Sequence, residues 1–234
     1  MSLSIQDVLD QIAAWHAERP LYKERLYAAL LNGEFKHEQT QEFARQFGII
    51  PLYNNIYHGN IYVVCPADKI EWRGKLSEVA YEEGTGNLFS EGVPHCRLYL
   101  DFANGLGLSD EDMWNTDYIP AALTFRSYYA RRCSTSFLEA VSAHMLGGEA
   151  MAPGSMTQVA NMFKEKLGLD DKAVAFFIIH DEADAEHSDV GRELLGEFAR
   201  TEKDREFVLQ VVREHMGIAF NLYDEIYEAA RRFN

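Results

Sequence analysis

Hydrophobic residues recur three and four positions apart along nearly the whole chain, the spacing of one face of an α-helix. Val8, Ile12 and Trp15 make a first such face. Leu21, Leu26, Leu30 and Leu31 make a second, which ends at Asn32-Gly33. A third runs from near Glu38 through Phe43, Phe47, Ile50, Tyr53, Ile56 and Ile61. Because the pattern resumes beyond Pro51, that proline is expected to kink the helix rather than end it. The same periodicity predicts helices over about 70–83, from His95 after Pro94, and over 120–149, 156–167, 171–199 and 203–232. There is no period-2 alternation, no glycine-rich phosphate motif and no short internal repeat. The pattern therefore predicts an all-α fold, and the short linkers predict a single domain over residues 1–234.

Several apolar stripes end in polar residues. In "FFIIHDEADAEH", residues 176–187, the stripe of Ala173 and Phe176 or Phe177 continues as His180, Asp184 and His187 before returning to Gly191, Leu194 and Phe198. These three are four and three apart, so they share one helix face. Burying them without partners costs roughly 2 kcal/mol or more per group. A divalent metal removes that cost, since neutral histidine and ionised aspartate are natural ligands. A solvated helix face is the alternative for this pattern taken alone. Other helices repeat the feature. Leu138, Val141 and Met145 lead to Glu149; Trp72, Leu76 and Val79 lead to Glu82 or Glu83; His95 opens the stripe of Leu98, Phe102 and Leu106. Inward carboxylates and imidazoles from four helices are what a carboxylate-bridged site for two first-row metal ions requires, iron or manganese before zinc.

Composition narrows the partners. The 234 residues carry 37 Asp and Glu against 22 Lys and Arg, a formal charge of −15. Such a chain is a poor ligand for phosphate backbones and anionic membranes, so neither nucleic acid nor membrane is expected as a partner. The three cysteines, Cys65, Cys96 and Cys133, form no CxxC pair and no disulfide framework. No segment has the length and apolarity of a membrane span or signal h-region. A cytoplasmic location and a homodimeric state are expected.

"YEEGTG…PHCRLYLDFANGLGL", "MLGGEAMAP" and "HDEADAEH" resemble the metal motifs of the haem-oxygenase-like dimetal oxidases, the superfamily that includes the CADD, PqqC and TenA proteins. "LYAALLNGEFKHEQTQEFARQF" is similar to the family's second and third helices, so the resemblance covers most of the chain. It implies a haem-oxygenase-like bundle of seven or more helices. It also implies six ligands, Glu82, His95, Glu149, His180, Asp184 and His187, for two Fe(II) ions or an iron–manganese pair. Glu83 is the alternative if the long "TGNLFSEGVP" loop displaces His95. The implied activity is dioxygen-dependent oxidation of a small molecule, an amino acid or a metabolite derived from one, with C–C or C–N cleavage or N-oxygenation. Tyr27 falls where CADD proteins carry a tyrosine that they sacrifice to make p-aminobenzoate. The position matching their lysine is Val159, and another of their tyrosines is matched by Phe43. Arg126 is the candidate clamp for a substrate carboxylate. The competing readings are a metal-free enzyme of the PqqC or TenA kind (Cys133 being the one cysteine near the expected core), haem ligation through His16, and a non-enzymatic interaction protein.

Overall fold

The computed structural model describes residues 3–148 and 156–233, with the side chains of residues 181–189 outside the described set. Among the described residues every regular element is helical. Helix α1 spans Ile5–Glu18, followed by a 3₁₀ turn at Leu21–Lys23 and by α2, Arg25–Leu31. Then come α3, His37–Phe47; α4, Asn54–Val64; α5, Ile70–Thr85; and α6, His95–Gly105. A short α7, Asp110–Trp114, precedes α8, Pro120–Thr135, and α9, Phe137–Val141. A π-helix covers Ser142–Gly148. The chain closes with α10, Met156–Leu167; α11, Asp171–Phe198; and α12, Glu202–Ala230.

Local chemistry sets several starts. Ser4 before α1, Ser109 before α7 and Thr201 before α12 each accept from the backbone N–H three residues on, and an aspartate there returns the bond. These reciprocal pairs satisfy amides that a helix start leaves open.

Two expected helices are broken where the periodicity runs on. Residues 48–53 separate α3 from α4, so Pro51 does not merely kink one helix. Pro51 has no N–H to continue the ladder. The chain turns instead through Ile50 N to Phe47 O (3.0 Å) and Tyr53 N to Ile50 O (3.1 Å). The expected helix over 120–149 divides at Ser136, whose backbone is extended (φ −150°, ψ 157°). Before it, the hydroxyls of Ser134 and Thr135 donate to the carbonyls of Ala130 and Arg131 (2.6 and 2.7 Å), competing with the helix's own amides. Ser136 then caps α9 by accepting from Glu139 N.

The packing that positions the site is the pair α6 and α11. They run antiparallel, in register along one seam. A side chain at Gly105 would meet Ala173 Cβ at 2.8 Å, so glycine there lets the two backbones close up. Further along, Phe102 meets Phe177 (ring centroids 4.8 Å), Tyr99 meets Phe176 (4.9 Å), and His95 meets His180 (4.9 Å). Phe163 from α10 and Phe43 from α3 complete the aromatic floor against Phe102 (4.9 and 6.4 Å). Each such buried side chain contributes about 1.5–3 kcal/mol through water exclusion. The seam thus runs from an apolar floor up to a pair of imidazoles.

Candidate metal centre

Residues Gly86–Pro94 fold back over the ends of α5 and α6. Gly86 turns the chain with φ +68°, and a Cβ there would lie 2.0 Å from Val93 O. Only glycine fits. The turn brings Leu88 N and Phe89 N to the carboxylate of Glu82 (2.6 and 3.2 Å), and Ser90 Oγ to the same group (3.0 Å). Glu82 also accepts from His95 Nε2 at 3.2 Å. Its carboxylate therefore ties the loop to the histidine. Burial alone would raise its pKa, but the hydrogen bonds from Leu88, Ser90, His95 and Phe89 outweigh burial and hold it below the ordinary carboxylate range.

Glu83, one residue on, meets the same imidazole at its other ring nitrogen. Glu83, His95 and His180 offer one ligand atom each, all within 4.8 Å of one another. His95 Nδ1 lies 3.1 Å from Glu83 Oε1, so a ring nitrogen and a carboxylate oxygen sit side by side. Burial opposes ionisation of Glu83, but His95, His58 and His180 around it pull its pKa well below the usual carboxylate range. For His95, burial lowers the pKa, while Glu83 and Glu82 raise it further, for a net rise.

The tautomers follow from the outer partners. His95 donates from Nε2 to Glu82, which leaves the Nδ1 lone pair on the Glu83 side. His180 donates from Nδ1 to Phe176 O at 2.7 Å, which makes Nε2 its acceptor nitrogen. Fixing one ring nitrogen by an outer hydrogen bond is how proteins orient imidazole ligands. One carboxylate and two neutral imidazoles suit a borderline divalent ion such as Fe(II). The residues present therefore fit the group that the sequence pattern implies.

Behind Glu83 stands a polar set that periodicity did not reveal. His58 Nε2 lies 3.9 Å from Glu83 Oε1. Asn54 Nδ2 donates to His58 Nε2 (3.3 Å), and Asn54 Oδ1 accepts from His144 Nε2 (2.9 Å). His144 comes from the π-helix, whose wider turn is a frequent mark of functional sites. Asn54 and His58 lie four apart on one face of α4, and His144 meets them from the π-helix. The one available signal is the density of histidine and asparagine in "NNIYH".

Beside the centre is a cavity with His180 in its wall. Tyr27, Phe47, Phe125, Tyr129, Phe176 and Tyr223 supply rings to it, and Asn54 and His215 supply polar groups. Tyr27 is buried and packs edge-on against Tyr223 (5.4 Å). Arg126 is outside this lining: Nη1 donates to Tyr53 OH (3.3 Å), and the guanidinium lies over the Tyr53 ring (5.2 Å). His16 on α1 and the buried Cys133 on α8 are also outside it. Of the other expected ligands, Glu149 falls outside the described residues. Asp184 and His187 lie on α11 one and two turns beyond His180, and their side chains are outside the described set.

Fold and site together define the class: a helical protein with a carboxylate–imidazole group beside an aromatic cavity. The chain belongs to the family described as iron-containing redox enzymes, whose sequence profile matches residues 41–218. It is 24% identical over 208 residues to the 4-aminobenzoate synthase of Chlamydia pneumoniae, covering 87% of this chain and 88% of that one. A haem-oxygenase-like domain of unknown function from Shewanella denitrificans superposes with a TM-score of 0.76 at 17% identity, covering 98% of this chain and 94% of the other. A CADD-like protein of unknown function from Nostoc punctiforme gives 0.76 at 16% identity, covering 97% and 98%. The haem-oxygenase-like fold expected from the motifs is the fold of this chain. No helix among the described residues is long and apolar enough to cross a membrane.

Proposed function

We propose that this protein is a non-haem dimetal oxidase that uses dioxygen to oxidise a small organic molecule in the aromatic cavity. The observation that carries the reading is the trio of buried Glu83, buried His95 and half-buried His180, whose ligand-type atoms lie within 4.8 Å of one another. In this reading Glu83, rather than Glu82, is the α5 ligand, because Glu82 is already committed to the loop and to His95. Glu149, Asp184 and His187 complete the pair. Bound iron would supply electrons and open coordination positions for dioxygen. The chain's part is to hold and dry the site. Glu82 orients His95, Phe176 O orients His180, and the rings of the cavity exclude water around the reacting molecule. Of the two expected substrate types, a metabolite derived from an amino acid fits this lining better than a free amino acid, because Arg126 is engaged with Tyr53 away from the cavity. The protein supplied anaerobically with Fe(II) is expected to bind close to two ions per chain. Stoichiometry below one under those conditions would sink the reading.

A second reading, formation of 4-aminobenzoate at the expense of Tyr27, is favoured by the place of Tyr27 in the cavity wall and by the name of the Chlamydia pneumoniae relative. Against it, no lysine lines the cavity among the described residues, and residues 149–155 and 181–189 contain none, so the chain offers no amine donor there. We expect Tyr27→Phe to keep at least about a third of the oxygen-consumption rate, the modest loss of one hydroxyl. The mass of the intact wild-type chain is expected to be unchanged after aerobic turnover. A mass loss localised to Tyr27, with Tyr27→Phe inert, would establish the second reading instead.

A further inference from the structure

We propose that the cavity is built for an uncharged aromatic molecule, a phenol or an arylamine without a charged substituent, and that it rejects the corresponding carboxylate. This deepens the proposed function and rests on that reading for the reaction, though not for the binding. The first observation is the lack of lysine and arginine in the described wall. None of the described lining residues is lysine or arginine, and residues 149–155 and 181–189 contain neither. The arginines of α8 that could turn inward are engaged elsewhere. Arg126 is on Tyr53, and Arg132 is on Glu139 and Glu214. A carboxylate entering this space loses its water and gains no lysine or arginine partner from the wall, the costly case for a buried charge. The field of a chain with net charge −15 adds to that cost.

The second observation is the shape and chemistry of what is there. Phe125 and Tyr129 stack on one another (4.8 Å, 26° between planes), so the wall carries a pair of parallel ring faces. Tyr27 and Tyr223 meet edge to face nearby. Planar faces of this kind favour a flat ring. The polar side chains are three phenols, from Tyr27, Tyr129 and Tyr223, the amide of Asn54, and the imidazoles of His180 and His215. Such groups read a hydroxyl or amino substituent by hydrogen bonding and need no ionic partner.

Ile50 is the position from which this preference can be inverted. It lines the cavity yet is only half-buried, so a lysine there can keep its stem against the wall and its charge near the mouth. The test is calorimetric titration of anaerobic Fe(II)-loaded protein with 4-methylphenol and with 4-hydroxybenzoate. The phenol is expected to bind once per chain and at least about tenfold more tightly than the benzoate. Ile50→Lys is expected to strengthen benzoate binding at least about tenfold. Phe125→Leu, a milder change, is expected to weaken the phenol roughly fivefold or more. Equal or tighter binding of 4-hydroxybenzoate by the wild type would overturn the inference, as would the absence of saturable phenol binding. Phenol binding by protein that takes up no iron would defeat the dimetal reading and leave this inference standing.

Discussion

Glu83→Ala is expected to abolish one iron site and to reduce oxygen consumption at least roughly a thousandfold, the scale for loss of a metal-ion catalyst. Glu82→Gln lowers iron affinity by only about 10–100-fold, as is usual for the outer partner of a ligating histidine. The two carboxylates are neighbours in sequence and equally buried, so the contrast tests geometry rather than composition. Glu83 stands with His95 and His180 within 4.8 Å and has no loop amide to hold. Glu82 accepts from Leu88 N, Phe89 N, Ser90 Oγ and His95 Nε2. A glutamine at 82 keeps an acceptor oxygen for that loop and for the imidazole, so the site survives in weakened form. Removing Glu83 deletes a buried anion that was held among three imidazoles. Its helix should stay intact, which far-ultraviolet circular dichroism beside an iron titration will show. A total loss with Glu82→Gln and a mild loss with Glu83→Ala would exchange the two roles.

That contrast also marks how far the sequence could be read. The helical class, the ends of α10 and α11, and the start of α6 at His95 follow from periodicity because each helix there buries one continuous stripe. His180 was visible for the same reason: it occupies a place on the stripe of Ala173 and Phe176 that an apolar residue should fill. Glu82 and Glu83 could not be separated this way. A helix turns about 100° per residue, and both carboxylates lie on the inward half of α5 near its end. What distinguishes them is the tight turn at Gly86, which feeds three donors to one of them, and a turn's spatial destination is not written in a stripe. The breaks at Pro51 and Ser136 escaped for a related reason. Apolar positions on both sides of each break enter the same core, so the pattern continues although the backbone ladder does not. His58 and His144 escaped because His58 follows the break at Pro51, where the expected stripe changes helix, and His144 lies in a π-helix whose turn departs from the α-helical period. Their meaning arises only when Asn54 joins them across α4 and the π-helix.

Phe163→Ala is expected to destabilise the protein by about 3–5 kcal/mol, the range for emptying a large aromatic site in a close-packed core. Phe163 is fully buried on α10, with its ring against Phe102 (4.9 Å), Phe177 (5.3 Å) and Phe43 (6.3 Å). These neighbours come from three other helices, so no single one can collapse into the space without breaking another contact. For a chain of this length the loss corresponds to a fall of roughly 10 °C in the unfolding temperature. The site should feel the same change. Phe177 belongs to α11, where the adjacent Phe176 packs on the His180 ring (4.0 Å) and gives its carbonyl to His180 Nδ1. A cavity under Phe177 lets this stretch of α11 shift, and a shift of His180 away from Glu83 and His95 loosens a trio whose ligand atoms need a common centre. Iron affinity should therefore fall together with the unfolding temperature, while Phe163→Leu, which refills most of the volume, restores most of both. Thermal unfolding followed with and without Fe(II) measures the two effects. If Phe163→Ala lowered the unfolding temperature but left iron affinity unchanged, the aromatic floor would support the fold without setting the position of His180.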